Sequence, residues 1–183
     1  MSASLASDQD ASFMRLALAE AERGAGEGEI PVGAVLVLGD EVLAKAHNRV
    51  ERGKDPTLHA EMICIREAAK KLKAWRLLDC TLYVTLEPCP MCAGAILQSR
   101  IKRLVWGAPN TLLGADGSWI RMFPVSTADP VAESTNYVLG SPRACHPFHP
   151  EIKVTRGLLS AESAALMKSF FRRRRLENSF SGV

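Results

Sequence analysis

Thr81-Leu82-Tyr83-Val84-Thr85-Leu86-Glu87-Pro88-Cys89-Pro90-Met91-Cys92 reads as an apolar strand running straight into the start of a helix. The run Thr81 to Leu86 is largely apolar, which suits a strand in the interior of a sheet covered on both faces. Cys89 and Cys92 stand three apart, so on one helical turn their side chains share a face. Pro88 and Pro90 lack amide protons and fit best in a first turn, which puts both cysteines at a helix N-terminus. There the helix dipole and the free amides favour thiolate over thiol. A Cys-x-x-Cys pair alone reads equally as a redox couple or as two buried small hydrophobes. The prolines, the preceding Glu87 and the upstream His59-Ala60-Glu61 turn the reading toward a metal site.

One imidazole from His59 and two thiols from Cys89 and Cys92 make three protein ligands for Zn2+, which leaves the fourth position open. An open position on zinc means bound water and hydrolytic chemistry near neutral pH. A structural zinc module normally closes the metal with a fourth protein ligand, and the sequence offers no obvious one. Neutral imidazole and two thiolates leave the site with roughly zero net charge, which moderates the acidification of that water. A general base must therefore help, and Glu61 is the carboxylate placed for it. His59 and Glu61 cannot share a face of a regular helix, being two apart. At a first turn, however, no earlier turn blocks the long Glu61 side chain from curling toward the metal. Asp55-Pro56-Thr57 reads as a turn followed by an N-cap at Thr57, which places His59 near a helix start.

Outward from this core, helices interleave with short strands. Asp10 to Arg23 carries apolar residues at Phe13, Leu16, Ala17 and Ala21 and stops at Gly24, as an amphipathic helix does. Val32 to Leu38 and Val42 to Ala46 flank Gly39-Asp40, a hairpin signal. Leu58 to Leu72 is a helix, and the cysteine helix continues to Ser99. Arg103 to Trp106 and Lys153 to Thr155 are strands, and Ala161 to Glu177 is a basic closing helix with Ser160 as cap. The pattern predicts an α/β fold: a three-layer α/β/α sandwich around a mixed sheet of about five strands. Both metal-site helix starts then lie on one edge of it, where ligand sites in open α/β sheets gather.

The 183 residues fit one domain with a real core. Hydrophobic residues make up 47% of the chain, yet no apolar run is long enough to span a bilayer, so no membrane partner is expected. Five cysteines show no disulfide framework; Cys64, Cys80 and Cys145 read as reduced, with Cys64 and Cys80 buried. A net charge of +3 is too small to argue for nucleic acid by itself, so the distribution of charge matters more. Between Pro124 and Ala144 the composition shifts to Pro, Ser, Thr, Asp, Asn and Gly, which reads as a long surface loop. Cys145, His146 and His149 beyond it have irregular, proline-broken spacing and read as loop residues rather than a second metal site. Phe170-Phe171-Arg172-Arg173-Arg174-Arg175 sets two aromatics beside four arginines. Such a tail either binds phosphate and stacked bases or anchors a helix whose solvated arginines complement its C-terminal dipole.

His-x-Glu with Pro-Cys-x-x-Cys is the known signature of zinc deaminases. The chain resembles the cytidine deaminase superfamily, and within it the TadA-type tRNA adenosine deaminases. The resemblance rests on the metal motif and on Glu29 to Val35, Asn48-Arg49, Asp55 to Glu61, Leu82 to Cys89, Gly114-Ala115-Asp116-Gly117-Ser118 and Phe170-Phe171-Arg172. It runs from Phe13 to Arg175, interrupted by the segment 124–144, which reads as an insertion.

What the resemblance implies is a cytidine-deaminase-like fold and the conversion of adenosine to inosine at the wobble position of a tRNA anticodon stem-loop, arginine tRNA in particular. His59, Cys89 and Cys92 would hold Zn2+, while Glu61 would carry a proton from the zinc-bound water to a ring nitrogen and then to the leaving amine. Asn48 matches a residue that contacts the target nucleoside, although a turn-forming role competes. Val32, Leu86 and Pro88 match pocket walls, although strand core and helix start compete. Phe171, Arg174 and Arg175 match positions near the flanking nucleotides. Asn110 stands where bacterial relatives usually carry an Asp, and Leu112 near a usual Lys. Loss of that carboxylate would remove repulsion from RNA phosphate. The insertion and Asn110 resemble the plant chloroplast branch, whose members carry a transit peptide not seen at this amino end; a cytoplasmic protein is the alternative. The resemblance also implies a homodimer. A deaminase of free nucleosides or bases, or a non-catalytic tRNA-binding subunit, remain the other readings.

Overall fold

The computed structural model describes residues 2–124, 149 and 151–180. Its elements are α1 (Ser2–Gly26), β1 (Gly33–Leu38), β2 (Glu41–His47), α2 (Val50–Gly53), α3 (Ala60–Leu72), β3 (Cys80–Leu86), α4 (Pro90–Gln98), β4 (Arg103–Ala108), β5 (Lys153–Arg156) and α5 (Ser160–Phe180). The strands form one sheet in the order β2-β1-β3-β4-β5. β1 is antiparallel to β2 and to β3, whereas β3, β4 and β5 run parallel. The expected mixed five-stranded α/β/α sandwich is what forms.

Alternation along the central strands sorts the core into two layers. Ala34, Leu36, Leu82, Val84 and Leu104 point to one face, where Ala60, Ile63 and Cys64 of α3 and Ala93 and Ile96 of α4 cover them. Val35, Val37, Tyr83 and Val105 point to the other, beneath Phe13, Met14 and Ala17 of α1. Contacts with β4, β3 and α1 place α5 on that second face. The crossing of α1 over the sheet is close enough to demand glycine: a Cβ on Gly33 would stand 2.0 Å from the Ala17 carbonyl oxygen.

Several boundaries differ from those the sequence suggests. α1 continues to Gly26 rather than stopping at Gly24. Thr57 does not cap α3; His59 is the N-cap, and Asp55 Oδ1 instead accepts from the Thr57 amide and hydroxyl within the preceding turn. Only Pro90 enters the first turn of α4, while Pro88 precedes the N-cap Cys89. Ser160 is the first residue of α5 rather than its cap, following Leu159 at φ 52. Residues 125–148, including Cys145 and His146, lie outside the described residues. His149 Nε2 donates to the Ile101 carbonyl at 2.7 Å, a structural contact.

A half-buried ionic clamp joins α1 to the sheet. Arg103 donates twice to Asp10, at 2.7 and 2.6 Å, and once to Thr155, while the Tyr83 hydroxyl donates to Asp10 at 2.6 Å. Burial raises the Asp10 carboxyl, but the donors from Arg103 and Tyr83 outweigh it and hold the group below the ordinary carboxylate range. A carboxylate depressed in the folded state contributes stability above its unfolded pKa and loses it as pH falls through the folded value. Asp10→Asn is therefore expected to cost about 1–2 kcal/mol at pH 7. The gap from the parent should close below about pH 4, as followed by thermal melts across pH.

Candidate active site

Both halves of the metal motif sit at helix starts that follow irregular backbone. His59 (φ −74, ψ 152) is the N-cap of α3, and Cys89 (φ −73, ψ 168) is the N-cap of α4. Neither caps its helix with its own side chain, so both side chains are available to converge. The α3 amide that His59 leaves open is served from another element: Asn48 Oδ1 accepts from Ala60 N at 2.9 Å. Asn48 is held in turn by its own amide, which donates to the Val32 carbonyl at 3.1 Å.

His59 Nδ1 lies 3.6 Å from Cys89 Sγ and 3.4 Å from Cys92 Sγ. With Zn–S of about 2.3 Å and Zn–N of about 2.0 Å, a tetrahedral ion requires N···S edges of about 3.5 Å. The donor atoms already stand at those edges, all within 4.8 Å of one another. The charge balance agrees. Cys89 is lowered to about 4 by the hydrogen bond from Cys92, against the cost of burial and with help from His59. Cys92 is pushed far up by the same shared proton, by burial and by the charge of Glu61. The cluster alone thus ionises one sulfur readily and resists the second, and a divalent cation supplies the charge that admits both. His59, Cys89 and Cys92 are a zinc-binding triad on a fit of distance, donor type and charge.

Glu61 sits in the first turn of α3, 3% exposed, beside this triad. Burial raises its carboxyl above the ordinary range. Its Oε2 has no hydrogen-bond partner among the described residues. A buried carboxylate oxygen without a donor is costly, and such a group in a cleft marks a candidate functional site.

A cavity of about 820 Å³ opens over the triad. His59, Glu61 and Cys89 line it together with Asn48, Val32, Leu86, Asn110, Phe171 and Arg175. Three other residues singled out in the sequence are not on its wall. Cys92 lies behind Cys89, fully buried. Pro88 is buried as well, and its carbonyl accepts from Ala115 N at 2.8 Å. Arg174 stands 5.5 Å from the ring of Phe170, in a groove beside Ala25 and Gly26. One helical turn separates Phe170 from Arg174 and Phe171 from Arg175, so the two pairs take neighbouring faces of α5.

The sequence reading missed Glu87. Its buried carboxylate accepts from the amides of Asp116 (2.8 Å), Ser118 (3.2 Å) and Asn110 (3.0 Å) and from the Ser118 hydroxyl. Residues 110–118 are thereby folded around a single side chain adjoining Pro88-Cys89. Gly114 is required there, since a Cβ would stand 2.3 Å from that carboxylate. Asp116, with a fully buried side chain, completes the fastening: Trp106 Nε1 donates to it at 2.8 Å, and Arg156 donates at 2.7 and 2.8 Å. Asn110 Oδ1 accepts from Leu113 N at 3.1 Å, closing the loop tip that forms one lip of the cavity. Among the other lining residues that were missed, Ala164, Met167 and Lys168 continue a stripe on α5 with Phe171 and Arg175. Their spacing of 3, 4, 7 and 11 was the available signal.

A cysteine pair and an imidazole at the starts of two helices, with a buried glutamate beside them, define the class of the zinc-binding deaminases. The cytidine and deoxycytidylate deaminase zinc-binding region matches residues 7–108. Within that class the chain belongs to the family of tRNA-specific adenosine deaminases. It is 38% identical over 164 residues to the tRNA-specific adenosine deaminase of Bacillus subtilis, covering 90% of this chain and 89% of that protein. It is 56% identical over 165 residues to the chloroplastic tRNA(adenine(34)) deaminase of Arabidopsis thaliana, covering 90% of this chain. The match spans 12% of the plant protein's length. A structure solved in a study of A-to-I editing by tRNA:A34 deaminases superposes with a TM-score of 0.67 at 40% identity, over 85% of this chain and 98% of that one. No helix among the described residues is long and apolar enough to cross a membrane.

Proposed function

We propose that this chain deaminates adenosine to inosine at position 34 of a tRNA anticodon, that arginine tRNA is its substrate, and that it works as a homodimer in the chloroplast. The carrying observation is Glu61, a buried carboxylate with one oxygen unpartnered among the described residues, on the wall of a cavity that also holds His59 and Cys89. Family membership supports tRNA as the substrate class. The likeness to the chloroplastic plant protein supports the plastid, and the family resemblance supports the arginine tRNA and the dimer.

The target base leaves the stack of the anticodon loop and enters the cavity between Val32 and Leu86. Asn48 Oδ1 is engaged by Ala60, so its amide nitrogen is the atom left to orient the nucleoside. Zinc, when bound by His59, Cys89 and Cys92, supplies Lewis-acid chemistry that brings the pKa of a water near neutrality. Glu61 takes a proton from the attacking water and gives it to a ring nitrogen. As the water oxygen bonds to carbon 6, Glu61 takes the second proton from the new hydroxyl and passes it to the amine, whose bond to carbon 6 breaks as ammonia leaves. Phe171 offers a face for a flanking base and Arg175 a charge for a phosphate.

The test is to incubate the protein with arginine tRNA transcripts, digest them and look for inosine by mass. Inosine is expected at position 34, and chelation of the metal should abolish it. Turnover of free purines with no inosine in tRNA would replace this reading with that of a metabolite deaminase.

A further inference from the structure

We propose that Lys168 is a positioning residue that receives a backbone phosphate of RNA beside the nucleotide held in the cavity, a proposal that rests on the tRNA reading above. Lys168 lies on the α5 face that lines the cavity, with Phe171 one turn on and Arg175 two turns on. The step from Lys168 to Phe171 is about 4.5 Å along the helix axis, so a base stacked on the ring and a neighbouring phosphate can be held together.

Two observations give that ammonium an external partner. First, Lys168 is exposed and makes no ion pair, hydrogen bond or ring contact among the described residues. Two cations of the helix are committed: Arg173 donates to the Ala25 carbonyl at 3.0 Å and stands 3.8 Å from Glu177, while Arg174 lies over Phe170; Arg172 is exposed but is not on the cavity wall. Second, no carboxylate of the wall is available to it. Glu87 is saturated by four donors, and Glu61 is buried beside the metal ligands. The wall that Lys168 shares is largely apolar, with Met167 on its own helix and Leu112 and Leu113 on the 110–118 lip. A compact ammonium with three rotatable donors in such surroundings suits a phosphate, which it meets as a point charge.

The test measures binding of an anticodon stem-loop RNA across a salt series for the parent, K168Q and K168R. K168Q is expected to weaken binding at low salt on the order of fivefold and to reduce the slope of log affinity against log salt by about 0.7–0.9. Turnover at saturating RNA should be unchanged, and K168R should restore the slope. A K168Q slope equal to the parent's overturns the proposal. A parent that binds the stem-loop but forms no inosine defeats the function reading, with the slopes still deciding Lys168. A parent that does not bind RNA at all defeats both.

Discussion

Glu61→Gln is expected to lower tRNA turnover about 10²–10⁴-fold while the protein keeps one equivalent of zinc. Glutamine has the same shape but cannot take a proton from water at neutral pH, so the substitution removes transfer and little else. The ligand atoms of His59, Cys89 and Cys92 are untouched. Glu61 Oε2 has no partner among the described residues, and the carboxyl's remaining contact, with Cys92, can be kept by the glutamine side chain. Replacing a buried carboxyl by a neutral amide also relieves the burial cost that raises its pKa. Melting temperature should therefore hold, and metal analysis should match the parent. A variant within tenfold of parental turnover would remove Glu61 from the chemistry.

Glu87→Ala is expected to destabilise the protein by at least about 3 kcal/mol, because it strands several donors folded around one carboxylate. Hydrogen bonds to charged acceptors are each worth about 1.5–3 kcal/mol, and buried orphaned amides add a desolvation cost. For a chain of this size the melting temperature should drop by about 6–12 °C. Activity should fall more than stability implies, since the lip bearing Asn110, Leu112 and Leu113 loses its anchor. Calorimetry together with turnover well below the melting temperature checks both. A loss under about 1 kcal/mol with normal turnover would mean that the loop is held elsewhere.

The metal triad was legible because its spacing is local: Cys89 and Cys92 share one turn, and His59 belongs to a motif of fixed order. The sheet was legible because its interior strands are apolar runs of the right length with turn residues between them. Thr57 misled because the sequence shows which residues can cap but not that Asn48, twelve positions earlier, delivers its oxygen to Ala60. Glu87 looked like a simple acidic neighbour of the cysteines. Its partners at Asn110, Asp116 and Ser118 lie 23 to 31 positions away, and only the parallel pairing of β3 and β4 brings them near. The arginine run hid the division of α5 into two faces, which its apolar members Ala164 and Met167 would have shown.

The donors that hold the 110–118 segment to Glu87 are, with one hydroxyl exception, main-chain amides. An amide is present whatever residue carries it, proline aside. The side chains at 111, 112 and 113 can thus be exchanged while the arch keeps its shape and the neighbouring cysteines keep theirs. Such a design lets natural variation retune which nucleic acid is accepted without disturbing the catalytic ion.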